Sequence, residues 1–348
     1  MRVRRLGAIA AAVVATSTLV TACGGGDNAG GGDSAAGSGG GGKVQLALVA
    51  YSTPQAAFKD IIAAFQKTPE GKNITFTQSF GASGDQSRAV ANGLKADIVE
   101  FSLETDVTRL VKAGIVAPDW NSGPAAGPSK GILTRSVVVI GTRKGNPKGI
   151  KTWDDLIKPG VEVITPNPFT SGGARWNLLA GYGAKSDKGA DQATGLTYLD
   201  SLLKNVPVQD DSGRKSLQTF TGGKGDAILT YENEAIFARQ NGQELDYTVP
   251  DATLLIENPV AVTKNSAHPA EAAAFLKYLY SVEAQTIFAK NGYRPVADGV
   301  TGFDWPAPPQ LFTIQDLGGW DKITTEFFDS KTGKVADIER KLGVATEK

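Results

Sequence analysis

Pro159-Gly160-Val161-Glu162-Val163-Ile164-Thr165-Pro166-Asn167-Pro168-Phe169-Thr170-Ser171-Gly172-Gly173-Ala174-Arg175-Trp176-Asn177 reads as a strand, a turn and a helix start in immediate succession. Val161, Val163 and Ile164 form a short buried strand, and Pro166 and Pro168 end it. Thr170-Ser171-Gly172-Gly173 then opens a helix that continues through Arg175, Trp176, Leu178, Leu179 and Tyr182. A helix start leaves backbone N–H groups without intrahelical partners and carries partial positive charge. Glycines remove the side chains that would hold a ligand away from those groups. No carboxylate occurs from Val163 to Asn177. A turn of this kind can hold a small anion; it is also the composition of an ordinary N-cap serine followed by flexible glycines.

The same unit recurs along the chain. Val44–Tyr51 is a strand, and Ser52-Thr53-Pro54 starts a helix whose apolar positions are Ala57, Phe58, Ile61, Ile62 and Phe65. Asn73–Ser79 alternates as a half-buried strand, and Gly81-Ala82-Ser83-Gly84 leads into a further helix. Ala96–Phe101 and Glu104–Ala113 repeat strand and helix. Repeated β-turn-α units predict an α/β fold with a parallel sheet and helices on both faces. Further strands are expected at Ser136–Gly141, from Val208, at Ala227–Tyr231 and at Pro259–Thr263, and a helical tail is expected toward the end. Serine-bearing turns thus stand at several strand ends, at Ser52, Ser83, Ser171 and Ser212. In open α/β sheets ligands lie outside those ends, so the turns can converge on one small anion.

Composition narrows the chemistry. The 348 residues carry 36 Lys and Arg against 36 Asp and Glu, so no basic field favours nucleic acid. Cys23 and His268 are the sole residues of their types. No Cys/His metal or haem site is expected, and no intrachain disulfide can form. Arg2, Arg4 and Arg5 followed by the apolar run Gly7–Val20 read as a signal peptide over residues 1–22. Val20-Thr21-Ala22-Cys23 resembles the lipobox of bacterial lipoproteins, which implies lipid on Cys23. Residues 23–42, rich in Gly, Ser and Ala, read as a flexible tether. The expected location is the outer face of the cytoplasmic membrane, held by that lipid.

Lys144-Gly145-Asn146-Pro147-Lys148, Pro159-Gly160-Val161, Ile164-Thr165-Pro166-Asn167-Pro168 and Ser171-Gly172-Gly173-Ala174-Arg175-Trp176-Asn177 together resemble the periplasmic sulfate-binding proteins of bacterial sulfate ABC transporters. Gly81-Ala82-Ser83-Gly84, Tyr231-Glu232-Asn233-Glu234-Ala235 and Tyr293-Arg294-Pro295 extend the likeness over nearly the whole chain after the tether. The resemblance implies a class II periplasmic binding protein of two α/β lobes joined by crossover strands. Residues 43–135 with 255–348 would form lobe 1, and 136–254 lobe 2. It implies a monomer that closes on sulfate and delivers it to a membrane permease, without cofactor or catalytic residue. Carried over by position, Ser52 donates its N–H, Ser83 its hydroxyl, Ser171 hydroxyl and N–H, and Gly172 and Gly173 their N–H groups. Arg214 supplies a further N–H from the turn Ser212–Lys215. Tyr231 stands where the family's best-matching form has a tryptophan donor. A phenol can also accept, which leaves room for thiosulfate or another tetrahedral oxyanion such as molybdate or phosphate.

A site made only of donors suits a fully deprotonated oxyanion, because the proton of hydrogen phosphate would find no acceptor. Asp210 or Asp211 turned inward would change that; solvent-facing or capping positions are expected for both, and a structural place for Arg175. A remote enzyme reading rests on Ser212-Gly213-Arg214-Lys215 and Lys331-Thr332-Gly333, which spell S-x-x-K and K-T-G of serine acyl-transfer enzymes. The S-D-N element between them is missing.

Overall fold

The computed structural model describes residues 43–123 and 126–347. The expected signal peptide, Cys23 and the tether lie outside the described residues.

In β1 (Val44–Tyr51), Leu46, Leu48 and Ala50 are fully buried at every second position. The α1 helix (Gln55–Phe65) covers them with Ala57, Phe58, Ile61, Ile62 and Phe65, a helical stripe. The β2 strand (Ile74–Gly81) runs parallel to β1 on one side, and β3 (Ile98–Glu100) parallel on the other. The helices α2 (Ser83–Ala91) and α3 (Glu104–Lys112) follow their strands. This half is the expected parallel sheet.

The parallel order stops there. The twelve-residue β4 (Ile132–Arg143) and the eleven-residue β8 (Ala252–Val262) extend well beyond the strands expected at Ser136–Gly141 and Pro259–Thr263. They pair antiparallel with each other over Ile132–Val137. The rest of β4 pairs antiparallel with β6 (Ala227–Tyr231) and β7 (Leu245–Thr248), while Val260–Val262 of β8 pair antiparallel with β3. The chain crosses to the second half along β4 and returns along β8, so the crossing strands must run in opposite directions. The sheet order is β2-β1-β3-β8-β4-β6-β5, with β5 (Val163–Ile164) parallel to β6.

The second half adds α4 (Gly172–Lys185), α5 (Gln192–Lys204), α6 (Gly213–Thr221) and α7 (Glu232–Gln240). Between them, α8 (Pro269–Leu279) and α9 (Val282–Lys290) share an apolar cluster with β1 and α1. The strand expected from Val208 is irregular, and Gln310–Phe312 forms β9, where a helical tail is expected.

The apolar anchors of α10 (Gly319–Phe328) and α11 (Lys334–Lys341) pack with α4 and α5. Trp320 meets Trp176 edge-on at 4.7 Å between ring centroids, and Phe327 meets Tyr182 at 4.8 Å. Aromatic pairs in such geometry add to simple area burial. Phe312, Ile314, Trp320, Ile323, Phe327 and Phe328 are all buried in this cluster.

Candidate functional site

A small cavity lies between the two halves of the sheet. It is small, about 20 Å³. From the first half it is lined by Tyr51, Ser52 and Thr53 before α1, by Ala82 and Ser83 at the start of α2, and by Ser102 after β3. The second half contributes Ser171, Gly173 and Asn177 around the start of α4, Gly213 of α6, and Thr230, Tyr231 and Glu234 at the β6–α7 junction. Strand ends and helix starts therefore supply most of the wall.

Three helix starts leave amides free. Ser83 opens α2, Gly172 and Gly173 open α4, and Gly213 and Arg214 open α6; among the described residues their N–H groups have no hydrogen-bond partner. The first turns of α1, α4 and α6 carry no acidic residue. Each helix start adds partial positive charge to the cavity without a mobile cation.

Of the residues singled out in the sequence, Ser52, Ser83, Ser171, Gly173 and Tyr231 line the cavity together. Ser83 departs from expectation: its hydroxyl donates to Asp106 at 2.6 Å and accepts the Ser102 N–H at 3.0 Å. The group left for a ligand is the Ser83 amide. For Ser171 the reverse holds, since its amide is taken by the Asn167 carbonyl and its hydroxyl makes no cap bond. Gly172 sits against Ser102, where an added Cβ would stand 2.7 Å from Oγ, whereas a Cβ on Gly173 would meet nothing closer than 3.4 Å. In the Ser212–Lys215 turn the cavity wall is Gly213. The Arg214 side chain turns away to grip Glu234 through Nε and Nη2, both at 2.8 Å, and its Nη2 donates to the Thr53 carbonyl at 2.9 Å. Burial opposes the Arg214 charge, and the Glu234 carboxylate more than offsets it, so the guanidinium stays above its ordinary pKa.

Asp210 accepts from Ser216 and Thr219, Asp211 pairs with Lys215, and neither lines the cavity. The Lys215 ammonium thus faces Asp211 as its ion-pair partner, and Lys331-Thr332-Gly333 is a turn before α11, which removes the strand that the acyl-transfer reading requires. Arg175 donates Nε to the Pro168 carbonyl and lies over the Phe328 ring; burial pulls its pKa down to about 10, and it does not line the cavity.

Sequence reasoning missed Thr53, Ser102, Asn177 and Glu234. Asn177, one turn into an apolar helix, donates to Thr165 Oγ1 and the Leu229 carbonyl, which clamps α4 to β5 and β6; its Oδ1 has no partner among the described residues. Such a polar residue amid buried neighbours was a signal available in the sequence. Ser102 carried none. Tyr231 is 3 % exposed and shares a hydrogen bond of 2.7 Å with Ser102 Oγ. Burial raises its pKa, which keeps the phenol neutral.

The two halves are closed over the cavity. Gly84 N–H reaches the Thr170 carbonyl at 3.1 Å, Trp176 Nε1 the Ser102 carbonyl at 2.9 Å, and the Tyr51 and Tyr231 rings lie 6.5 Å apart.

Residues 46–294 match the model of a bacterial extracellular solute-binding protein family. The chain is 43 % identical to a sulfate-binding protein of Synechococcus elongatus, over 82 % of its own length and 84 % of the relative's. It is 38 % identical to a thiosulfate-binding protein of Pseudomonas aeruginosa, over 71 % and 77 %. The solved structure of the sulfate-binding protein SubI from Mycobacterium tuberculosis H37Rv superposes with a TM-score of 0.78 at 43 % identity, covering 82 % of this chain and all of that one. With two halves joined by crossing strands, a small closed cavity ringed by helix starts, and these relatives along most of its length, the chain belongs to the bacterial extracellular solute-binding proteins, in the family of the sulfate-binding proteins.

Proposed function

We propose that the protein captures sulfate outside the cytoplasm and delivers it unchanged to the permease of an ABC transporter, with no catalytic step. The convergence of three unsatisfied helix starts on one cavity of ionic size carries this reading. Each hydrogen bond to a charged group contributes about 1.5–3 kcal/mol. Roughly five such bonds, less desolvation and closure costs, suffice for micromolar binding or tighter. The ligands are the amides of Ser83, Gly172, Gly173 and the Gly213–Arg214 turn, with the hydroxyls of Ser171 and Tyr231; Ser52 contributes at the α1 start. Lipid on Cys23 would hold the protein, as a monomer, to the membrane face. Palmitate labelling that persists in Cys23→Ser would remove that anchor from the proposal.

A second reading, thiosulfate, is favoured by the thiosulfate-binding relative, whose identity to this chain is close to that of the sulfate-binding ones. Calorimetry with sulfate, thiosulfate, molybdate and phosphate at neutral pH decides among them. Tight phosphate binding with no sulfate binding would overturn the proposal.

A further inference from the structure

We propose that Ser102 sets the oxyanion specificity of the site by donating its hydroxyl proton to the Tyr231 oxygen, so that the phenol can only donate into the cavity. This rests on the oxyanion reading above. Ser102 is fixed by three backbone links: its N–H donates to Ser83 Oγ, and its carbonyl accepts from Trp176 Nε1 and, at 3.2 Å, from Asn258 Nδ2. These ties come from α2, α4 and β8, and they leave Oγ free to serve one partner, the Tyr231 hydroxyl at 2.7 Å. Both residues line the cavity.

The direction of that bond follows from chemistry. Each hydroxyl has one proton. The phenol is the more acidic of the two, and a dianion is the strongest acceptor in the cavity. The arrangement of lowest energy gives the phenol proton to the anion and the serine proton to the phenol oxygen. Asn258 supports the same polarity. Its Oδ1 accepts from Tyr51 at 3.1 Å and from Thr134 at 3.3 Å, which turns Nδ2 toward Ser102 and the Tyr231 side. Chained donors polarise one another and strengthen the terminal bond.

The consequence is selectivity. With its oxygen occupied by Ser102, Tyr231 cannot accept the proton of a hydrogen oxyanion, so this wall of the cavity offers that proton no acceptor. Without the Ser102 hydroxyl, the phenol can rotate its proton away and accept. Ser102→Ala keeps all three backbone links and removes only the bond to Tyr231.

The test is titration calorimetry of the full chain with sulfate and with inorganic phosphate at pH 7. Wild type should prefer sulfate. Ser102→Ala should lose about tenfold in sulfate affinity and narrow the sulfate-to-phosphate ratio at least tenfold. Ser102→Cys, which keeps the volume with a weak donor, should shift the ratio in the same direction. In a Tyr231→Phe background, Ser102→Ala should change neither affinity further. A merely structural role for Ser102 would weaken both anions equally and leave the ratio unchanged, which would overturn the inference alone. Wild type that binds neither anion would overturn the inference and the oxyanion reading together.

Discussion

Gly172 and Gly173 are neighbours with opposite sensitivities. At Gly172 a Cβ would stand 2.7 Å from Ser102 Oγ and from Leu103 Cγ, so Gly172→Ala should destabilise the fold by about 1–3 kcal/mol in a urea titration. At Gly173 the nearest atoms are Ser171 Oγ at 3.4 Å and the Tyr231 ring at 3.6 Å, ordinary contact distances. Gly173→Ala should therefore keep its melting temperature and lose at least tenfold in sulfate affinity, because the methyl stands among the donors. An alanine variant that folds and binds like wild type would misplace the site. Glu100 is a second single-residue case. It is fully buried between Ala50 and Val260, and neither carboxylate oxygen has a partner among the described residues. Burial raises its pKa well above the ordinary value. The folded form then holds a proton that the unfolded chain releases above about pH 4.5, so stability should fall as pH rises from there toward the folded pKa. The slope is about 1.4 kcal/mol per pH unit. Glu100→Gln should flatten this dependence and raise the melting temperature at pH 7, with little change near pH 4.

At the scale of elements, the start of α7 carries two buried acids, Glu232 and Glu234, each held by an arginine from another element. Arg294, on the segment after α9, donates to Glu232 at 2.8 Å and pairs its backbone with Arg135 of β4. Its neighbour Tyr293 shares a hydrogen bond of 2.9 Å with Thr53 before α1. The sequence blocks Tyr231-Glu232-Asn233-Glu234 and Tyr293-Arg294-Pro295, far apart in the chain, thus meet behind the cavity. Arg294→Ala would leave Glu232 buried and unpaired, a loss of about 3–5 kcal/mol in chemical denaturation. Combining it with Glu232→Gln should recover part of the loss; a double variant as unstable as Arg294→Ala would argue against the ion pair as the cause.

For the molecule as a whole, Arg214 ties the halves together near the cavity, through Glu234 on one side and the Thr53 carbonyl on the other. Closure biased by a ligand requires contacts that exist only in the closed form. Arg214→Ala removes one such contact and leaves the Glu234 carboxylate unpaired beside a dianion. Sulfate should reduce the radius of gyration of the wild type in solution scattering. The variant should show a smaller change and bind at least tenfold more weakly. Equal compaction and equal affinity would show that Arg214 takes no part in closure.

Local sequence determined the pieces. The apolar stripe of α1, the alternation in β1, the Ser-Gly-Gly start of α4 and the serine turns at strand ends were all legible, because each follows from periodicity or from turn chemistry within a few residues. The resemblance in the Ser171–Asn177 block identified the family that the relatives then showed. Tertiary structure decided what local pattern cannot carry. The lengths of β4 and β8 and their antiparallel run depend on pairing between residues more than 100 positions apart. The C-terminal helices pack where Trp176 and Tyr182 leave an apolar face. At the site, the sequence supplied the hydroxyls but not their partners. Whether Ser83 offers a hydroxyl or an amide, and which way the Tyr231 proton points, depends on Asp106 and Ser102, which only the folded chain brings within hydrogen-bond reach.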